Sequence, residues 1–197
     1  MKTRKSFNIN GEMLGKASRF VSQNKSDHPE LIFLRIEKSK LFGAKIIACD
    51  GHRLIIFTDP ASDFQGPDFN LGVYMHSRNP AYSPSLRPFI KACRKLKSQV
   101  RYKRGYVTID PTRKEAGING KVFKIICNSK EYFDYKSVGK VKRIVNRKNV
   151  GAINPKYFVD SRHAILSEED FGSVHFINVS HENQRPSALA NFLLITR

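Results

Sequence analysis

Acidic side chains are scarce in this chain: 17 Asp and Glu stand against 35 Lys and Arg, a formal net charge of +18. Such a deficit implies a polyanionic partner, nucleic acid before membrane. No apolar run approaches the ~18 residues of a membrane-spanning helix, so no span is expected. An amphipathic anchor and a lipidation signal are also missing, which argues against acidic lipid as the polyanion. The N-terminal Met1-Lys-Thr-Arg-Lys5 is basic, but Asn8 and Asn10 break up the residues after it, so no signal-peptide apolar region is expected. Cysteines are few and odd in number (Cys49, Cys93, Cys127), without Cys-x-x-Cys spacing. They suggest reduced thiols in a cytoplasmic protein rather than a disulfide framework, and a nucleic-acid partner would make that protein nucleoid-associated. The phosphate-binding pattern Gly-x-x-x-x-Gly-Lys-Ser/Thr does not occur, so no ATP-driven step is encoded. His175 and His181 lack companions at zinc-ligand spacing. With neither zinc-finger nor RRM patterns, DNA binding is expected to be sequence-tolerant, with no metal and no cofactor.

What is present is a repeated pattern, in a chain long and apolar enough to build a core (197 residues, 40% hydrophobic). Phe7–Asn10 reads as a strand whose last residue caps a helix. Met13, Leu14, Ala17, Phe20 and Val21 stripe that helix at helical spacing, with Lys16 and Arg19 on another side. Leu31–Ile36 is a predicted strand. Two apolar runs, Ile46-Ile47-Ala48 and Leu54–Phe57, then flank Asp50-Gly51-His52-Arg53, a strong hairpin signal because Gly accepts positive φ. The pattern restarts with a strand at Phe69–Met75 and a helix from Ser85 to about Ser98. Leu86, Phe89, Ile90, Cys93 and Leu96 face one way on it; Arg87, Lys91, Arg94 and Lys95 face another. Strands are expected at Gln99–Tyr102, Tyr106–Asp110 and Val122–Cys127. A third, shorter unit starts near Lys142, with a strand at Val150–Ile153, a helix capped by Asn154, and strands at Ser173–Val179 and Ala190–Thr196. The expectation is an α+β protein with a two-unit domain over 1–141 (units 1–67 and 68–141) and a one-unit half-domain over 142–197.

The wording of four stretches adds to this. Ala48-Cys-Asp-Gly-His-Arg-Leu54 resembles the Ala-Thr-Asp-Gly-His-Arg-Leu signature of the bacterial DNA polymerase sliding clamp, the replicase β subunit. Glu131-Tyr-Phe-Asp-Tyr135 is similar to the family's Glu-Phe-Pro-Asp-Tyr segment. Ile153–Asp160 is similar to its Phe-Asn-x-x-Tyr-Leu-x-Asp helix start, and Phe192–Arg197 to its C-terminal Val-Val-Met-Pro-Met-Arg. The matches are collinear. They correspond to the family's middle domain and then the second half of its last domain. The resemblance implies a clamp fold with helices lining a ring and sheets outside. Three units per chain, against twelve in the family's ring, imply a homotetramer.

Two candidate sites emerge. The cationic helix faces (Lys16, Arg19, Arg87, Lys91, Arg94, Lys95, Lys156 and Arg162) are candidates for duplex DNA, since long flexible cations meet phosphates without reading bases. The resemblance further implies a pocket for short peptides of a polymerase or repair factor. Leu31, Cys49, His52 and Leu54 correspond to one wall, and Asn154, Tyr157, Phe192 and Leu194 to the other. Without the resemblance these apolar residues would read as core. A clamp-loader ATPase as a further partner is left open. Asp50 with His52 reads as a hairpin cluster before an acid–base pair, and Asp59, Asp63 and Asp68 as a solvated turn before a nuclease metal site. The chain is read as a non-enzyme. The rival reading is a clamp-derived protein that coats DNA, or competes with a larger clamp, without closing a ring.

Overall fold

A computed structural model describes residues 6–21, 29–40, 42–51, 53–72, 86–97, 104–132 and 172–176, with the last of these segments known in its backbone. Ten strands and two α-helices lie within them. The first unit runs β1 (Phe7–Asn10), α1 (Gly11–Ala17), β2 (Phe33–Lys38), β3 (Ala44–Cys49) and β4 (Arg53–Asp59). The second runs β5 (Phe69–Gly72), α2 (Leu86–Cys93), β6 (Tyr106–Asp110), β7 (Glu115–Ile118) and β8 (Lys121–Lys124). Two further strands are β9 (Cys127–Asn128) and β10 (Gly172–Phe176). The architecture is α+β.

Each unit lends its first strand to the other. One sheet has the order β1-β6-β7-β8 and the second β10-β4-β3-β2-β5-β9, and every pairing is antiparallel. Phe7-Asn8-Ile9 and Phe69-Asn70-Leu71 occupy matching places: Phe7 lies opposite Ile109, the fourth residue of β6, and Phe69 opposite Ile36, the fourth residue of β2. The two phenylalanines meet edge to face at 5.9 Å, with Phe64 against both. This exchange locks the units around one core. That core takes Ile9, Met13, Leu14, Ala17 and Phe20 from the first unit and Phe89, Ile90, Cys93, Val107 and Ile109 from the second.

β3 is buried on both faces, which accounts for its unbroken apolar run. Ile46 and Ala48 point into the main core, while Ile47 and Cys49 point to a second cluster with Leu31 and Leu54. At the hairpin, Asp50 and Arg53 close a two-residue loop, and Gly51 holds φ at +90°, where a side chain would be strained.

The cap expected for α1 holds, with Asn10 Oδ1 accepting the Met13 amide hydrogen at 3.0 Å and the apolar stripe buried. The α-helix ends at Ala17, however, and Arg19 lies in a 3-10 turn over Ser18–Phe20; α2 ends at Cys93, short of the expected Ser98. Other expectations also need correction. Pro29–Ile32 forms a 3-10 turn, so the strand begins at Phe33 rather than Leu31. Val122–Cys127 is not one strand. β8 stops at Lys124, and β9 joins the other sheet through Asn70–Asn128 and Leu71–Cys127. β7 is a strand that hydropathy does not announce, although Asn119-Gly120 after it is a two-residue turn at φ 48° and 79°. The strands expected at Gln99–Tyr102, Val150–Ile153 and Ala190–Thr196, and the third helix, fall outside the described residues.

Candidate nucleic-acid interface

α1 and α2 pack against each other at a point where no side chain fits. A Cβ on Gly15 would stand 2.8 Å from the backbone of Cys93 and Arg94. The contact is then tied: Ser18 Oγ donates to the Gly15 carbonyl at 2.7 Å and accepts from Arg94 Nε at 2.9 Å, while a second Arg94 nitrogen reaches the Ser18 carbonyl at 3.3 Å. Arg94 is therefore exposed yet anchored, partly a brace between helices.

The remaining cations sort by what they touch. Arg19, Lys91 and Lys95 are exposed and make no ion pair or side-chain hydrogen bond among the described residues. Lys16 is half-buried and pairs with Glu12 at 3.4 Å, one helical turn away. Glu12 is the single carboxylate in 11–21 and 86–97, stretches that carry seven Lys and Arg. The side chain of Arg87, and Lys156 and Arg162 altogether, lie outside the described residues. Lys97, 91% exposed, and exposed Arg104 extend the cationic surface past the end of α2. The Lys95-Leu96-Lys97 spacing could have signalled the first; nothing local marks Arg104.

Four aspartates elsewhere among the described residues, Asp50, Asp59, Asp63 and Asp68, are engaged within the fold. Asp50 accepts two hydrogen bonds from the Arg53 guanidinium at 2.7 and 2.9 Å, and Arg53 in turn donates to the Arg19 carbonyl and stands 4.6 Å over the Phe20 ring. The conspicuous hairpin motif thus pins the sheet to the end of the first helix. Asp63 accepts from the Asn8 amide, and Asp68 from the Lys38 amide at 3.1 Å beside Arg35. Asp59 is a correction: it is not solvated but fully buried, accepting from the Asn10 amide, the Tyr106 hydroxyl and the Ala61 amide. Burial pushes its carboxyl above the ordinary range against those donors. Among the described residues no three His, Cys, Asp or Glu converge as a metal site.

Leu31, Cys49 and Leu54, from the expected peptide pocket, do come together. All three are buried in the second cluster with Ile47, and Ile56 and Tyr132 pack against it. Tyr132 donates its hydroxyl to the Phe33 carbonyl at 3.1 Å, and its packing on the cluster brings it to Cys49 and Leu54 of the hairpin motif. Burial raises the Cys49 thiol well beyond its usual range despite the Gly51 amide hydrogen at 3.2 Å, and pushes Cys93 up to about 12. These thiols are inert packing groups, not nucleophiles. His52, Asn154, Tyr157, Phe192 and Leu194 lie outside the described residues.

No family model and no curated protein matches the chain. Among solved structures it is similar to DNA polymerase III subunit beta from Borrelia burgdorferi, with 15% identity, TM-score 0.45, and coverage of 68% of this chain and 32% of that one. It is similar to the DNA polymerase III beta subunit from Thermotoga maritima at 13% identity and TM-score 0.43, over 93% of this chain and 49% of that one. The DNA polymerase sliding clamp from Bacillus subtilis gives 14% identity and TM-score 0.42, over 66% and 34%. The chain spans about a third to a half of the length of these bacterial β-subunit structures, to which it is similar.

Proposed function

We propose that this protein is a small DNA sliding clamp, a non-catalytic ring that encircles duplex DNA and holds a polymerase or repair factor on it. The observation that carries this reading is the helix layer. α1 and α2 pack in contact, and Lys91 on α2, with Arg19 and Lys95 in the turns that follow the two helices, stands without counterions among the described residues, while Asp50, Asp59, Asp63 and Asp68 are engaged in the fold. Flexible cations on a rigid pair of helices suit contact with phosphates at any register, which is what sliding requires. The helices would face the DNA and the sheets would face out.

Ring closure would need four copies if each contributes three units. In support, β8 has no strand on its outer side among the described residues and leaves Val122 69% exposed. The corresponding edge at β4 carries β10. An open edge offers main-chain hydrogen bonds to a neighbouring copy. The peptide pocket would lie over the Leu31–Cys49–Leu54 cluster, with Asn154, Tyr157, Phe192 and Leu194 as its second wall. The test is topological: protein loaded on closed circular DNA should survive a salt challenge that strips it from linear DNA. Equal release from both would leave only an electrostatic DNA coat.

A further inference from the structure

Beyond the end of α2 the surface folds into a hollow of about 350 Å³, lined by Lys95, Leu96, Lys97, Arg104, Gly105 and Asn119. Among the described residues of the lining, three carry positive charge and none is acidic. Lys95 and Arg104 have no ion pair or side-chain hydrogen bond among the described residues. Lys97 reaches the Glu12 carboxylate only at 3.7 Å and remains 91% exposed. The Gly105 carbonyl, an acceptor that would repel an anion, is occupied by the Gly11 amide hydrogen at 3.1 Å. Asn119, held at φ 48° by the turn between β7 and β8, adds an amide to the rim. Three like charges around one concavity repel each other. A bound anion removes that repulsion and gains a guanidinium fork with two ammonium donors.

We propose that this hollow, which adjoins the open helix face and shares Lys95 with it, is a phosphate-binding site sized for two neighbouring phosphate groups. Its volume falls in the range of small-ligand sites, about 300–1,000 Å³. Arg104 supplies a planar donor set for phosphate oxygens, and Lys95 and Lys97 supply mobile point charges. Two sources share this chemistry: successive diesters of a DNA strand, and a free di- or triphosphate. Assignment to DNA rests on the clamp reading; the phosphate chemistry does not.

Titration of the full chain with inorganic pyrophosphate in a calorimeter tests it. Wild type should bind, and a K95Q/K97Q/R104Q variant should bind about tenfold more weakly or worse, the scale of losing charge-assisted hydrogen bonds. An R19Q/K91Q variant, neutralised outside the hollow, should keep wild-type affinity. No binding by wild type, or equal loss in both variants, overturns the site. Saturating wild type with duplex DNA first separates the sources. Lost pyrophosphate binding assigns the hollow to a DNA strand, and retained binding assigns it to a free di- or triphosphate; both support the site. Failure of the ring, read from equal release of circular and linear DNA, would leave this titration unaffected.

Discussion

The Asp59 carboxylate at the end of β4 accepts the Tyr106 hydroxyl of β6 at 2.8 Å, a bond between the two units across 47 positions of sequence. The same carboxylate accepts the Asn10 amide hydrogen at 2.8 Å, so three strands converge on one buried charge. Because burial raises its folded-state pKa above the ordinary value of 3.8, the folded protein binds this proton more readily than the unfolded chain. Its contribution to stability is fully present below about pH 3.8 and is lost as pH rises through the folded-state pKa. Wild type should therefore gain stability relative to Asp59→Asn as pH is lowered through that window. Urea denaturation of both proteins across acidic pH measures it, and a difference that stays flat would contradict the assignment.

Gly15→Ala tests the helix packing. Alanine gains about 1 kcal/mol of helix propensity over glycine. Here its methyl would meet the Arg94 and Cys93 backbone at 2.8 Å, and such overpacking costs about 1–3 kcal/mol. Backbone cannot rotate away as a side chain would, so the expected net effect is a lower denaturation midpoint.

Arg53→Lys keeps the charge but loses the fork on Asp50, the bond to the Arg19 carbonyl and the stacking on Phe20. A loss of about 1–3 kcal/mol is expected from the broken charge-assisted bonds. Equilibrium unfolding reads it directly; a neutral result would mean the motif is not a structural clasp.

The hairpin, the buried stripe of α1 and the exposed side of α2 are legible in the sequence because each depends on neighbours within a few residues. Asp59 is not: its donors come from Asn10 and Tyr106, 49 and 47 positions away, and its own surroundings look like a turn. Periodicity sets Arg94 on the solvent side, where it is, but cannot show Ser18 beneath it, 76 positions earlier. β7 escapes notice because Glu115-Ala-Gly-Ile118 has one β-branched residue, although Asn119-Gly120 marks its turn. The strand exchange needs Phe7-Asn-Ile and Phe69-Asn-Leu to be seen as equivalent, which only the pairings with Ile109 and Ile36 establish. Leu31, Cys49 and Leu54 are placed together through the resemblance alone, since periodicity assigns all three to core.

The brace formed by Arg94 changes how the DNA surface should be probed. Reversing Arg94 would disturb Ser18 as well as the field, so Arg19→Glu, Lys91→Glu and Lys95→Glu together are the cleaner set. They should weaken DNA binding without shifting the melting temperature. The slope of log affinity against log salt should fall by about 0.9 for each phosphate no longer neutralised. Unchanged DNA affinity in the folded triple variant would remove this face from the interface.

Encirclement itself is tested most directly by loading the protein at low salt on closed circular DNA and on the same DNA cut once, then challenging both with high salt. Electrostatic binding dissolves under that challenge, by about a thousandfold or more between 50 and 200 mM when six or more phosphates are neutralised. A closed ring stays threaded on a circle and slides off free ends. The account predicts retention on the circle, and release once the circle is cut after the challenge. Equal loss from circular and linear DNA would contradict it.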